Sequence, residues 1–274
     1  MRDRNHLAGR ALMVVAGLSL SAATATSAPA QAVEDRWTER CPSPRMGRAT
    51  HCEIRETTVA ATGAYRVNAR PNGNVIVRSW DRQEVLVRAH VSAHAPNERS
   101  AREIASQIEV SAERGGASSS GPRVGRNEGW SVSFEVFAPR GTNLTLESVN
   151  GAIRVADIAG DIAASTTNGG IAMRGVSGAV SGTSTNGGVN VQLASRVRAG
   201  ADLDIRTTNG GIRLTVPEDF SADLEARTVN GSINSQIPLM VEGRLGRNVT
   251  ARVGSGGPKV RLRTTNGGIN IARL

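Results

Sequence analysis

The dipeptide Asn-Gly recurs along the second half of the chain and constrains its fold more than any other feature. A serine or threonine stands two positions before each asparagine, and an isoleucine or valine stands three positions after it. This is a strand pattern of period two on both sides of a turn, repeated at least six times. The asparagines are Asn150, Asn168, Asn186, Asn209, Asn230 and Asn266, at intervals of 18, 18, 23, 21 and 36 residues.

Two architectures fit this repeat, a series of hairpins and a β-solenoid. Asn-Gly between alternating strands is a strong hairpin signal, and a hairpin would place Glu147 opposite Arg154. In the fourth unit, however, the same register places Arg206 opposite Arg213, and like charges oppose pairing. In a solenoid, equivalent residues of successive coils lie about 4.8 Å apart, so the asparagines form an amide ladder and the aliphatic residues a narrow core. We therefore predict an all-β, single-stranded β-solenoid with coils of about 18 to 23 residues.

The interval lengths predict where this solenoid is irregular. The last interval is twice 18, which predicts a further coil near Asn248 that has lost its Asn-Gly. The extra residues of the intervals of 23 and 21 fall around 194–200 and 216–221, where we expect loops.

The repeat also suggests a division of the chain after its N-terminal segment. Residues 59–137 are predicted to hold degenerate coils, because Asn72-Gly73 is followed by valines at the offsets of the regular units. A short helix is predicted after Asn97, where the apolar residues take helical spacing. Residues 115–129 are rich in glycine and serine and indicate a loop. The regular solenoid is predicted over 138–274.

Several of these motifs together resemble an exported bacterial family of β-strand-repeat domains known as “putative adhesin”, a domain of unknown function. The resemblance covers about residues 50–274. It implies a β-helix-like solenoid outside the cytoplasm, in a family without established catalytic residues. It rests on the Thr-x-Asn-Gly-x-Ile units, on Asn72-Gly73-Asn74-Val75-Ile76-Val77 followed by Trp80-Asp81, and on Val136-Phe137-Ala138-Pro139.

Residues 1–32 have the pattern of a secretory signal peptide. Three arginines precede an apolar run at 11–20, and small residues ending in Ala30-Gln31-Ala32 follow it. A transmembrane anchor needs about 20 apolar residues, and this run is about half as long. We predict cleavage after Ala32, export to the periplasm, the outer surface or the medium, and no transmembrane segment after cleavage.

The two cysteines, Cys41 and Cys52, both lie in the N-terminal segment 33–58. An exported chain meets an oxidising environment, so we predict a disulfide between them. Metal binding is the alternative because His51 adjoins Cys52, but no Cys-x-x-Cys motif or second histidine is nearby. We therefore expect no metal and no other cofactor.

A carbohydrate-active β-helix enzyme is one alternative function. A glycosidase needs two carboxylates about 5 to 9 Å apart. Asp204 and Glu225 occupy one phase of neighbouring coils, but Arg206 and Arg227 accompany them, which favours a solvated charged face. The four histidines all lie outside the regular coils. We therefore expect no catalytic residues.

The net charge of +9 is concentrated towards the C-terminus, because residues 243–274 hold seven basic and no acidic side chains. Stacked like charges attract polyanions such as lipopolysaccharide or acidic glycans. The alternative is a basic cap that keeps the last coil soluble and blocks edge-to-edge association. The candidate polyanion-binding residues are Arg206, Arg227, Arg244, Arg247, Arg252, Lys259, Arg261 and Arg263.

These observations favour a non-catalytic, exported solenoid that acts as an interaction or scaffold module of the cell envelope. Its partner is an unknown envelope or surface molecule, and a polyanionic glycan or lipopolysaccharide is one candidate beside the basic-cap alternative. The sequence holds no motif for specific nucleic-acid recognition.

Overall fold

The structure is a computed structural model that describes residues 47–241 and 246–274, and these ranges form twenty-one strands and one helix. In chain order the elements are β1 (Ala49–Ala60), β2 (Ala64–Asn68), β3 (Val75–Trp80), β4 (Glu84–Ala95), α1 (Glu98–Ser106), β5 (Glu109–Glu113), β6 (Gly116–Ser120), β7 (Gly129–Pro139), β8 (Asn143–Ser148), β9 (Ile153–Ala156), β10 (Ile162–Thr166), β11 (Ile171–Val176), β12 (Val180–Asn186), β13 (Val189–Leu193), β14 (Leu203–Asn209), β15 (Ile212–Val216), β16 (Ala222–Asn230), β17 (Ile233–Ser235), β18 (Met240–Val241), β19 (Asn248–Val253), β20 (Lys259–Asn266) and β21 (Ile269–Arg273).

Two large sheets enclose one aliphatic core. Sheet A has ten strands in the order β1-β4-β7-β3-β9-β11-β13-β15-β21-β17, and sheet B has eleven in the order β18-β19-β16-β20-β14-β12-β10-β8-β2-β6-β5. Each coil contributes one strand to sheet B and the next strand to sheet A, with the Asn-Gly turn between them. In spatial order the coils are β2–β3, β8–β9, β10–β11, β12–β13, β14–β15, β20–β21 and β16–β17.

The pairing of the strands confirms a solenoid and excludes the hairpin alternative for the repeat. Glu147 lies beside Ser165 of the next coil, and Arg154 lies beside Ala172, both in parallel register. In a hairpin, Glu147 and Arg154 would instead have faced each other on neighbouring antiparallel strands. The Asn-Gly turn therefore passes the chain from one sheet to the other.

The core is a narrow aliphatic column because each strand directs alternate side chains inward. Full burial of one such side chain contributes about 1.5–3 kcal/mol, so a coil is stabilised only when its neighbours cover it. On sheet A the column consists of Ile153, Ile171, Val189, Ile212 and Ile269, which lie in register and are each at most 1% exposed.

The N-terminal end of the solenoid is covered by strands outside the coil pattern. β7 pairs in parallel with β3, and β4 and β1 then extend sheet A in antiparallel orientation. β6 and β5 extend sheet B beyond β2. Residues 116–120, which the sequence placed in a loop, form β6 because they pair with strands on both sides. Residues 59–137 thus contain one coil, β2–β3, together with capping strands.

The helix predicted after Asn97 is present as α1. The Asn97 side chain accepts a hydrogen bond of 2.9 Å from the backbone N–H of Ser100, which caps the first turn. At the other end, the Arg55 guanidinium of β1 donates to the carbonyl oxygens of Ala105 and Ile108. The helix packs on β4 and β1 and is therefore part of the N-terminal cap.

The C-terminal end differs from the sequence prediction. No coil forms near Asn248 in the described ranges; β19 instead pairs in antiparallel orientation with β16, and β18 with β19. The last coil in sequence, β20–β21, lies between β14–β15 and β16–β17. The expected loops lie at 194–202 and 217–221. The loop at 217–221 also passes over coil β20–β21, because this coil lies between β15 and the coil that begins with β16.

Three predictions concern residues outside the described ranges. The signal peptide at 1–32 lies outside them. Cys41 also lies outside them, so the disulfide between Cys41 and Cys52 of β1 stays a prediction. Arg244 of the polyanion set also falls outside. In the ranges described, no helix combines the length and the apolar character needed to cross a membrane.

Candidate interaction surface

The asparagines of the repeat form one continuous ladder of side-chain amides. Each Nδ2 donates to the Oδ1 of the asparagine in the neighbouring coil at 2.7–2.8 Å. The order follows the spatial order of the coils: Asn72, Asn150, Asn168, Asn186, Asn209, Asn266 and Asn230. Asn72 of the degenerate unit begins the ladder, and the structure thereby brings all six predicted asparagines together with a seventh. The side chains of the six predicted asparagines are exposed.

A second column of hydrogen bonds runs beside the ladder and is buried. The hydroxyl two residues before each asparagine donates to the carbonyl oxygen of the glycine in the neighbouring coil. The donor–acceptor pairs, at 2.8–2.9 Å, are Ser148–Gly73, Thr166–Gly151, Ser184–Gly169, Thr207–Gly187, Thr264–Gly210 and Thr228–Gly267. These bonds explain why serine or threonine recurs there, because a buried hydroxyl needs a partner.

The glycine of each Asn-Gly is required by close packing between coils. A Cβ at Gly169 would lie 2.1 Å from the carbonyl oxygen of Gly151, and one at Gly187 would lie 2.2 Å from that of Gly169. Neither glycine has a positive φ. The conformational freedom that makes Asn-Gly a hairpin signal is therefore not what selects it here.

The outer face of sheet B, where side chains point away from the core, carries most of the predicted polyanion set. Arg206, Arg263 and Arg227 lie in one row across β14, β20 and β16. Lys259 and Arg261 lie on β20 in two further rows. Arg252 is on the neighbouring strand β19, and Arg247 is exposed just before it.

Acidic side chains interrupt this basic cluster, which the acid-free sequence of residues 243–274 did not reveal. Arg206 makes two hydrogen bonds to Asp204, at 2.9 and 2.7 Å, and these raise the pKa of the Arg206 guanidinium above its usual value. Arg263 donates to both oxygens of Glu225 at 3.0 and 3.2 Å. Asp204 and Arg206 both lie on β14, whereas the insertion of β20 beside β16 brings Arg263 to Glu225.

The same insertion changes the geometry of the acid pair considered for catalysis. Asp204 and Glu225 do not lie on neighbouring strands, because Arg261 stands between them in register. Arg261 Nε is 3.8 Å from a carboxylate oxygen of Glu225. A guanidinium thus occupies the space between the two carboxylates.

The part of the chain that the structure describes holds no group of three or more histidine, cysteine, aspartate or glutamate side chains suited to a metal ion. The histidine pair of the N-terminal cap, His90 and His94, lies on β4, where a spacing of four residues separates the two by about 13 Å.

A shallow groove runs along the outer face of sheet B and was not anticipated from the sequence. Its floor is lined by the small side chains of Thr145, Ala163 and Ser181, which lie in register on β8, β10 and β12. Charged side chains, including Asp204 and Arg261, stand in the same row at its C-terminal end. The signal was present in the sequence as three small residues at one phase of consecutive coils.

Comparison with known proteins supports the same fold. The family model described as Toastrack DUF4097 matches residues 70–272. No curated protein matches the chain. A Clostridium sporogenes structure named “putative cell adhesion protein” has a TM-score of 0.52 and 13% identity, with 82% of this chain and 100% of that chain covered. A Bacteroides fragilis structure named “putative adhesin” has a TM-score of 0.38 and 13% identity, covering 82% and 97%.

Proposed function

Because the chain belongs to the Toastrack DUF4097 family, we propose that it is a non-catalytic, exported solenoid that acts as an adhesin-like interaction or scaffold module of the cell envelope. One observation carries this proposal. The recurrent polar groups of the repeat bond to one another from coil to coil, whereas the outward positions of the same strands differ between coils. The outward face of sheet B can therefore vary without loss of the fold, as suits a surface that contacts a partner.

The arrangement of the acids supports a non-catalytic role over a carbohydrate-active enzyme. A glycosidase needs room between its carboxylates for the sugar and, in inverting enzymes, for a water. The Arg261 guanidinium fills this space between Asp204 and Glu225. Both carboxylates are also paired with arginines of their own, Asp204 with Arg206 and Glu225 with Arg263.

Export is proposed from the N-terminal sequence. The test is to express the full chain in a secreting bacterium and to sequence the N-terminus of the protein recovered from the periplasm and the medium. We expect the exported protein to begin at Val33. Recovery of the uncleaved chain in the cytoplasm would contradict export.

The absence of catalysis is tested on the exported protein with heparin, alginate and polygalacturonate as substrates. New reducing ends and the ultraviolet absorbance of unsaturated sugars report hydrolysis and lyase activity, respectively. We expect neither. Product that disappears in an Asp204→Asn variant would establish the enzyme in place of the interaction module.

A specific observation favours a polyanion as the partner. Arg206, Arg263 and Arg227 stand on three adjacent strands, about 4.8 Å apart, on an exposed face. Arg206 and Arg263 also bond to Asp204 and Glu225, so it is their remaining N–H groups, together with Arg227, that face outward. A row of this kind matches a linear series of sulfate or phosphate groups and binds them with a strong dependence on salt.

The polyanion proposal is tested by binding of heparin and of lipopolysaccharide over a salt series. The test variant changes Arg206, Arg263 and Arg227 to serine. We expect it to lose binding that the parent shows at about 50 mM salt. A matched control changes Arg154, Arg174 and Arg213, three exposed arginines scattered on sheet A, to serine and should retain most of the binding. Equal losses in both variants would mean that only net charge matters.

A further inference from the structure

The last coil of the chain occupies a slot between two coils that precede it in sequence. β20 pairs in parallel with β14 on one side and with β16 on the other, and β21 pairs likewise with β15 and β17. We call β20–β21 (Lys259–Arg273) the terminal coil and the gap that it fills the acceptor slot.

The two walls of the acceptor slot are acidic, and the strand between them is basic. One wall presents Asp202, which directly precedes β14, and Asp204 of β14, whereas the other presents Asp223 and Glu225 of β16. The facing pairs are Asp202 with Asp223 and Asp204 with Glu225. β20 places Lys259 between the first pair and Arg261 between the second. The signs therefore alternate across the slot in both rows.

Closure of the empty slot would bring like charges together. The two walls match in every structural column, because each carries the same Thr-x-Asn-Gly-x-Ile pattern. Direct pairing, however, would set Asp204 beside Glu225, Arg206 beside Arg227 and Asp202 beside Asp223. Like charges on adjacent strands oppose pairing, so the two acidic rows favour a strand with basic residues at the positions of Lys259 and Arg261. In the third row Arg263 lies between Arg206 and Arg227, and it donates to Glu225 of the neighbouring row.

Close packing adds a second requirement for the strand in the slot. A Cβ at Gly267 would lie 2.1 Å from the carbonyl oxygen of Gly210, so only glycine fits there. A Cβ at Gly268 would have its nearest neighbour at 3.4 Å, in the carbonyl oxygen of Ser232. The slot thus recognises the basic residues of Lys259-x-Arg261 together with the glycine of Asn266-Gly267 in one register.

We propose that the acceptor slot is a strand-binding site whose partner is the terminal coil of a second copy of this chain, so that copies are linked by exchange of their last coils. The contacts that fill the slot involve the side chains and backbone of the terminal coil. Its covalent connection to β19 consists only of residues 254–258. A terminal coil from another copy makes the same contacts, which is the condition for exchange of a structural element.

The connection itself provides the means to force exchange. β19 and β20 flank β16 on opposite sides, so residues 254–258 cross two strand spacings, about 9.6 Å. Deletion of residues 254–257 leaves Pro258 alone, which spans about 7 Å when fully extended. The terminal coil of such a variant cannot reach its own slot.

The experiment measures the mass of the deletion variant by size-exclusion chromatography with light scattering. We expect a dimer or larger ring with the strand content of the parent by circular dichroism. Addition of Gly267→Ala to the deletion should abolish this assembly, because alanine cannot enter the slot. Addition of Gly268→Ala should leave it intact, which controls for the loss of a glycine.

A synthetic peptide of residues 258–274 identifies the slot as the contact between copies. In excess, the peptide should convert the assembled deletion variant to monomers that carry one peptide each, and it should rescue a variant that aggregates. A peptide with Gly267→Ala should do neither. A deletion variant that stays monomeric, or an assembly that both peptides leave unchanged, would overturn the proposal.

Discussion

The glycine column makes a sharp prediction, because two adjacent glycines of one turn differ in the space around them. Gly169 faces the carbonyl oxygen of Gly151, and an added methyl lacks about 1 Å of the room that an ordinary contact needs. A Cβ at Gly170 would lie 3.3 Å from the carbonyl oxygen of Gly188, a contact that a shift of a few tenths of an ångström relieves, and Ala152 occupies the equivalent position of the preceding coil. Replacement of each by alanine changes the same chemical group in different surroundings.

The cost of Gly169→Ala follows from what must move. Forcing the two coils apart is an overpacking defect of about 1–3 kcal/mol. The displacement also strains the buried bond from Thr166 to Gly151, at about 1–3 kcal/mol if it is lost. Alanine also lowers the conformational entropy of the unfolded chain, which stabilises both variants by about 0.4–1 kcal/mol. We expect a loss of about 2–5 kcal/mol for Gly169→Ala and a change within about 1 kcal/mol for Gly170→Ala.

Urea denaturation followed by circular dichroism measures both variants against the parent. The midpoint should fall clearly for Gly169→Ala with an unchanged slope, since the slope reflects the surface exposed on unfolding. Equal stability of the two variants would refute the close-packing explanation and would return the glycine to a role in the turn alone.

Further predictions concern other parts of the molecule. Asn168→Ala combined with Asn186→Ala removes three rungs of the ladder and should cost about 1 kcal/mol per rung in urea denaturation; an unchanged midpoint would contradict a stabilising ladder. Burial, with a smaller contribution from Glu113, raises the pKa of Tyr65 to about 12, and ultraviolet titration should show this directly because the chain has one tyrosine. The unfolded chain ionises that tyrosine near pH 10, so stability should fall between pH 10 and 12, and Tyr65→Phe should remove this part of the fall. Arg55→Ala should lower stability by about 1–3 kcal/mol, because two carbonyls at the end of α1 lose their donor, and unaltered urea denaturation would refute that role.

The repeat was readable from the sequence because its structural residues recur at fixed offsets. The ladder asparagines and the inward isoleucines each fall at one phase, and their regular recurrence distinguished a stack of coils from separate hairpins. The helix was also readable, since Asn97 caps a run with helical spacing.

The order of the coils could not be read from those same residues. From β8–β9 onward every coil carries the same columns, Ser or Thr, then Asn-Gly, then Ile or Val, so these columns allow any of those coils to stack on any other. The choice lies in outward charges, in the acids of β14 and β16 and the basic side chains of β20. Those charges are visible in the sequence, but the position of Arg261 and Arg263 near the C-terminus predicts a basic last coil and not one inserted between two acidic strands. The groove over Thr145, Ala163 and Ser181 could not be predicted either, because small uncharged residues on the outer face of a strand indicate no particular contact or binding chemistry.

The uniform direction of the amide ladder gives the solenoid an electrical polarity along its axis. Each asparagine donates towards the Asn72 end and accepts from the Asn230 side, and each hydroxyl of the neighbouring column donates in the same direction. Aligned dipoles add and polarise one another, so the partial negative charge accumulates at the last coil. That coil ends in two acceptors, the Oδ1 of Asn230 and the carbonyl oxygen of Gly231. These two acceptors favour hydrogen-bond donors at this end of the ladder, whereas β7 covers the backbone beside Gly73 at the other end.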